Sequence, residues 1–402
     1  MMSNNIEAVG GAEAVAGFTG NHPVLEILED LVRINSVNPY YEEGAPGESG
    51  VACYVEERMR RAGIPVRRQQ VFAGRWNVVA ELSVGKPERA LLFESHMDTV
   101  PAGSMEKAFE AQIRDGRLYG RGACDTKATL AGMIWAIEYW AARRDSLPRD
   151  LVLCVAVDEE AAFRGVLRFL EEDREQRLAG AVVGEPTELR VVSATKGCAR
   201  FAVETRGKAA HSSMPEEGDN AIYRMLAVLS YIRDREAPRL EGLSHPLCGR
   251  ASISVGTIES GGQINIVPER CEIQVDRRIL PGEQPDVVRE QFKQALGAVL
   301  PSDTVFEVRE LLSDWALDTD PQAAIVREAL RVAETLGLAT EPVGVPYGTD
   351  ASKLQQLGGI PSIVFGPGSI AQAHSKHEWV DLEEVVQAAA FYATLAGVQS
   401  AE

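Results

Sequence analysis

The sequence predicts an α/β protein, a mixed and mostly parallel sheet covered by helices, interrupted by an inserted α+β unit. Three observations predict it. Short apolar runs without polar alternation, such as LVLCVAV at 151–157, read as strands buried on both faces. These runs alternate with segments of helical periodicity, the order expected of a parallel sheet with crossover helices. Near residue 196 the pattern changes to half-polar strands and two helices, and the first pattern resumes from about residue 319.

The elements follow in order. PVLEILEDLVRIN (23–35) carries apolar residues at helical spacing, and VACYVEERMRRAG (51–63) ends at a glycine, a common helix stop. WNVVAEL (76–82) and RALLFE (89–94) read as strands, TKATLAGMIWAIEYWAAR (126–143) as a helix, and 151–157 and 180–183 as further strands. Within the insertion, 198–205, 250–258, 270–278 and 305–312 read as half-buried antiparallel strands, with helices at 219–233 and 285–299. A helix at 321–337 and a strand at 360–365 (IPSIVF) close the chain. The expected division is therefore 1–195 with 313–402 as one domain and 196–312 as the insertion. There is no internal repeat and no low-complexity tract.

Composition excludes several functions. The formal charge of −18, from 41 basic and 59 acidic residues, argues against a nucleic-acid footprint and against docking on an anionic membrane. No apolar run is long enough for a membrane-spanning helix. The first twenty residues lack a basic region and an apolar core, so they read as a loosely ordered leader and not a secretory signal. Six cysteines without a CxxC pair read as reduced thiols, as in a cytoplasmic protein.

The chemistry gathers where strands stop. The run LLFE ends in SHMDTVP (95–101), strand 151–157 ends in Asp158-Glu159-Glu160, and strand 180–183 ends in Gly184-Glu185-Pro186-Thr187. Asp125 precedes a helix in GRGACDTK, and His374 follows a Gly-Pro-Gly loop in AHSKHE. Taken singly, a histidine at a strand end is more often structural, and an acidic triplet is more often a solvated loop. Together they lie beyond the carboxyl ends of neighbouring strands, where open α/β sheets build their sites. Several clustered carboxylates repel unless something positive joins them, and a divalent cation is the usual solution. Two imidazoles with three carboxylates exceed what one catalytic zinc takes, and suit two cations sharing a carboxylate about 3.5–4 Å apart.

These motifs, in this order, resemble the co-catalytic metallopeptidase family of acetylornithine deacetylase, succinyl-diaminopimelate desuccinylase, aminoacylase and glutamate carboxypeptidases. SHMDTVP, GRGACDTK, VDEE, VGEPT, GKAAHSSMP, GGQINIVPE, VDRR, GTDA, GPG and AHSKHE carry the resemblance across about residues 23–395. It implies a zinc-peptidase-like catalytic domain with an inserted lid that also pairs two chains. It implies two Zn²⁺ per chain, with Co²⁺ or Mn²⁺ as substitutes. His96 and Glu185 would hold one metal, Glu160 and His374 the other, and Asp125 would bridge both. Asp98 would hydrogen-bond His96 and fix its tautomer. Glu159 would be the general base for a metal-bridged water; on an extended stretch it would point away from Glu160. His211 would reach into the partner subunit's site and stabilise the oxyanion. Asn265 and Arg278 would hold the substrate carboxylate, and Gly348, Thr349, Gly366 and Gly368 would line the pocket.

Three positions depart from the family's pattern. His377 stands where the family often has asparagine, so two histidines three apart compete, and the place after the alanine favours His374. Thr126 and Ala128 replace the usual methionine and glycine at the helix start. The expected function is hydrolysis of an N-acyl-amino acid, of the acetylornithine or succinyl-diaminopimelate type. A dipeptidase or carboxypeptidase of the same family is the alternative. A binding protein that kept the scaffold and lost catalysis is a third reading, opposed by the complete set of site residues.

Overall fold

The computed structural model describes residues 22–86, 90–172 and 178–399. The expected leader and Arg89, the first residue of one expected strand, lie outside them. The chain divides into two compact units. One runs to Ser193 and includes Thr319–Val343 and the chain from Thr349 onward; the other comprises Ala194–Asp318 and Gly344–Gly348.

The first unit is built on a mixed sheet with strands in the order Val66–Phe72, Arg75–Leu82, Leu151–Ala156, Ala90–His96, Leu178–Val183 and Ser362–Val364. The first two are antiparallel additions, and the other four run parallel to one another. Every residue of Ala90–His96 and Leu151–Ala156 is buried, which is why both read as continuous apolar runs. The register pairs His96 with Ala156, so the chemistry of SHMD and VDEE emerges at adjacent strand ends. Gly184-Glu185 emerges from the strand on the other side of Ala90–His96.

Helix Lys127–Ala141 packs on Pro23–Arg33 and Leu382–Ala396. It is apolar nearly all round because it is buried nearly all round. Gly132 permits the approach, since an added Cβ would lie 2.9 Å from the Tyr392 ring. Trp140 Nε1 donates to Ala393 O at 2.8 Å across the same contact.

Sequence periodicity does not assign Val66–Phe72, Arg164–Glu172, Asp350–Gly358 or Leu382–Ala396. Val66–Phe72 is a VRRQQVF edge strand with only Gln69 buried, so it lacks an apolar alternation. Leu382–Ala396 is almost wholly buried and shows no polar face, although Asp381 caps it by accepting from Glu383 N at 3.0 Å.

The second unit is a four-stranded antiparallel sheet in the order Ser252–Ser260, Arg270–Ile279, Gly197–Arg206 and Val305–Asp314. Burial alternates along Arg270–Ile279, with Cys271, Ile273 and Val275 facing a core that also holds Phe201, Met225 and Phe292. Helices Ala221–Tyr231 and Pro285–Val299 cover that face. The helix expected at 219–233 continues through a π turn at Ile232–Glu236 into Ala237–Glu241. Pro238 explains the turn: it lacks an N–H and its ring crowds the carbonyl four residues back.

Candidate metal centre

The site begins with His96. Its Nδ1 lies 3.0 Å from the Asp98 carbonyl and 3.4 Å from Asp98 Oδ1. A carbonyl only accepts, so Nδ1 carries the proton and Nε2 presents its lone pair. Nε2 points at Asp125 Oδ1, 3.3 Å away, and at Glu185 Oε1, 3.9 Å away. His374, held at a left-handed φ of 58°, turns its Nε2 toward the other oxygen of the same aspartate. That contact to Asp125 Oδ2 is 3.3 Å, and Glu160 Oε2 is 3.0 Å away. Asp125 thus offers one carboxylate oxygen to each histidine.

Two groups of donor atoms lie within 4.8 Å of one another, His96–Asp125–Glu160 and His96–Glu159–Glu185. His377 belongs to neither. It lines a separate cavity of about 510 Å³ with Lys376, Arg114 and Tyr119. The sequence motifs therefore bring His96, Asp125, Glu159, Glu160, Glu185 and His374 to one place, with His377 outside it.

Local structure corrects one expectation. Glu159 and Glu160 do not lie on an extended stretch; they open a helical turn, Glu159–Ala162. Asp158 ends the strand in the left-handed region at φ 67° and starts the turn. Asp98 caps it: Oδ1 accepts from Glu159 N at 3.1 Å and Oδ2 from Glu160 N at 3.2 Å. Asp98 Oδ2 also accepts from Asn38 Nδ2 at 2.8 Å. One carboxylate thus orients His96 and both acidic residues of the turn.

Sequence reasoning missed Asn38, Arg75, Arg121 and Glu378. Arg75 pairs with Glu48 and Asp158, bracing the strand end from behind. Glu378 is fully buried and accepts from the backbone of the Asp125 loop. Its only sequence signal was its place at the end of AHSKHE.

The electrostatics describe carboxylates short of positive charge. Burial, then neighbouring Asp125, pushes the Glu160 carboxyl up to about 7. Burial also holds Glu159 and Glu185 well above the usual carboxylate range. Burial opposes ionisation of Asp125 too, but its contacts with the His374 and His96 rings hold it below its ordinary value. Contacts with Asp125 and Glu160 raise His374 to about 10. Three carboxylates that burial pushes toward the neutral form, beside Asp125 and two imidazoles, fit divalent cations.

The remaining expected residues are divided between the two units. Gly366 and Gly368 belong to the first unit and are close-packed. An added Cβ at Gly366 would lie 2.6 Å from Glu185 O, and one at Gly368 2.5 Å from Cys124 Sγ. Thr349 is buried, and its carbonyl accepts from Lys353 Nζ at 3.0 Å. In the second unit, an added Cβ at Gly348 would strike the Asp314 carboxylate. His211 is exposed there, with Nδ1 2.8 Å from Ser213 Oγ, and Ser212 N donates to Asn265 O at 3.0 Å. Arg278 Nε pairs with Asp276 Oδ1 at 2.9 Å, and its Nη groups have no hydrogen bond to a described residue.

The family described as peptidase family M20/M25/M40 matches residues 92–397. Acetylornithine deacetylase of Myxococcus xanthus is 33% identical over 353 residues, covering 85% of this chain and 89% of that protein. A probable carboxypeptidase of Aspergillus terreus is 30% identical over 390 residues, covering 91% and 84%. Among solved structures, an M20 family metallo-carboxypeptidase from Sulfolobus solfataricus superposes with a TM-score of 0.77 at 18% identity, covering 94% of this chain and 100% of that one. At that identity the likeness speaks for the fold.

Proposed function

Because the chain belongs to peptidase family M20/M25/M40, a family of hydrolases, we propose that it is a metal-dependent amidohydrolase acting on N-acyl-amino acids. The observation that carries the reading is Asp125, with one carboxylate oxygen facing each histidine Nε2. In this reading His96 and Glu185 hold one cation, Glu160 and His374 the other, and Asp125 serves both. Zinc is the proposed metal, given the imidazole and carboxylate donors. Such a pair of cations supplies Lewis-acid polarisation of the scissile carbonyl and eases deprotonation of water.

The chain's own groups do the rest. Glu159 takes the proton from the attacking water and returns it to the leaving nitrogen. Its burial, which raises its carboxyl well above the usual range, suits a group that must both accept and release a proton. Asp98 keeps His96 in the tautomer that leaves Nε2 free. Arg278 and Asn265, in the second unit, receive the substrate carboxylate, Arg278 through its unpaired Nη edge. His211, supplied by the partner of a homodimer, stabilises the oxyanion. The second unit in this reading is a lid and a pairing surface, and Gly348, Thr349, Gly366 and Gly368 shape the pocket.

An N-deacylase is the leading assignment, supported by the 33% identity to an acetylornithine deacetylase. A carboxypeptidase or dipeptidase is the second reading, supported by the 30% identity to a probable carboxypeptidase over a longer span. Amine release from a panel of N-acetyl, N-succinyl and N-formyl amino acids and dipeptides separates them. With zinc- or cobalt-loaded protein, one acyl class should turn over and the Glu159→Ala variant should lose at least ~10²-fold in kcat while keeping its metal. Full turnover by that variant overturns the role of Glu159. A variant that loses metal makes Glu159 a ligand, consistent with its distance to His96 and Glu185.

A further inference from the structure

The carboxylates and histidines of the centre sit on five separate segments, and one buried ion pair ties three of them together, those of His96, Asp125 and His374. Arg121 and Glu378 are 3% and 0% exposed, and Arg121 Nη1 donates to Glu378 Oε2. Arg121 Nε donates to Pro101 O at 3.1 Å, at the end of the stretch that begins with His96. Its Nη2 donates to Ser375 O at 3.3 Å, next to His374. Glu378 Oε1 accepts from Cys124 N at 2.9 Å and Asp125 N at 3.0 Å, and Oε2 accepts from Gly122 N at 3.1 Å.

Stability alone is a weak reason for such a pair. A buried ion pair gives little net stabilisation over apolar residues of the same shape. What Glu378 does supply is partners for three backbone N–H groups of a loop that neither helix nor strand satisfies, while Arg121 serves two carbonyls. The loop is the one that presents Asp125. The geometry points to Glu378, held by Arg121, as a positioning residue that fixes the Asp125 carboxylate between His96 and His374. This rests on the reading of those residues as metal ligands.

Glu378→Gln tests it with little change of shape. Each carboxylate oxygen accepts from two donors, so whichever end becomes the amide NH₂ faces two N–H groups. The readouts are the affinity of chelator-stripped full-length protein for Zn²⁺ by calorimetry and the visible absorption of bound Co²⁺. Affinity should fall ~10–100-fold for at least one metal, with an altered Co²⁺ spectrum. Should the glutamine variant fail to fold, Arg121→Lys carries the same expectation, since lysine keeps the charge but cannot span Pro101 O, Ser375 O and Glu378. Glu328→Gln is the control: it breaks another buried pair, Arg149 Nη2–Glu328 Oε2 at 3.0 Å, and should lower the melting temperature without moving metal affinity. Wild-type affinity and spectrum in the Glu378 or Arg121 variant overturn the positioning role and leave the metal centre standing. A wild-type chain that binds no divalent metal overturns both.

Discussion

At the scale of single residues, the centre shows how few positions carry the chemistry and how many hold them still. His374 reaches both Asp125 and Glu160, whereas His377, three residues on, lines a different cavity. The left-handed backbone at His374 makes that difference, because it turns the chain between the two rings. If the centre holds two cations as proposed, His374→Ala should therefore remove one of them and most of the activity, while His377→Ala keeps both. Metal analysis of the two purified variants decides it; equal loss from both would mean that the rings share the ligand role. Asp98 shows the other kind of economy. A single carboxylate sets the tautomer of one histidine and caps the turn that presents two glutamates.

At the scale of elements, buried charge joins helices to strands in ways that hydropathy does not show. Glu56 sits on helix Ser49–Arg61 with its carboxylate buried against the edge of the sheet. It accepts from Arg68 Nη2 at 2.9 Å, Trp76 Nε1 at 2.9 Å and Arg60 Nη2 at 2.8 Å. Burial pushes its carboxyl up, but those hydrogen bonds prevail and hold it below its ordinary value of 4.5. A carboxyl lowered in the folded state stabilises the fold fully above its unfolded pKa and loses that contribution as pH falls through the folded value. Glu56→Gln should thus cost about 1 kcal/mol at neutral pH, the half-exposed arginines being screened by solvent. The deficit should shrink below pH 4.5. Denaturant melts at pH 7 and pH 3 measure it, and a deficit that is the same at both would show that packing, not charge, is what was lost.

At the scale of the whole molecule, the proposed homodimer makes a prediction that no single chain can meet. If His211 acts in the partner's site, Glu159→Ala and His211→Ala variants are each inactive alone. Mixed under conditions that exchange subunits, they should regain activity, because one site of each mixed dimer unites an intact Glu159 with an intact His211. No recovery, with exchange shown by mass spectrometry, would place His211 outside the partner's site. Among the described residues no helix is long and apolar enough to cross a membrane, in keeping with the sequence.

The sequence by itself determined the α/β class, the family and the six acidic and histidine residues that meet at the strand ends. Each of these is written locally. Continuous apolar runs mark strands buried on both faces, and the polar residue that follows such a run falls at the strand's carboxyl end. Val66–Phe72 and Leu382–Ala396 escaped because one is an edge strand with little to bury and the other is buried all round, so neither carries a periodic signal. The tertiary structure alone decided that Asp158 turns left-handed to start a helix, and that Asp98 caps it. It also decided that Glu378 and Arg121 bind three loops from positions 257 residues apart. Hydrogen bonds between distant segments depend on where the backbone goes, and no local pattern of residues records that.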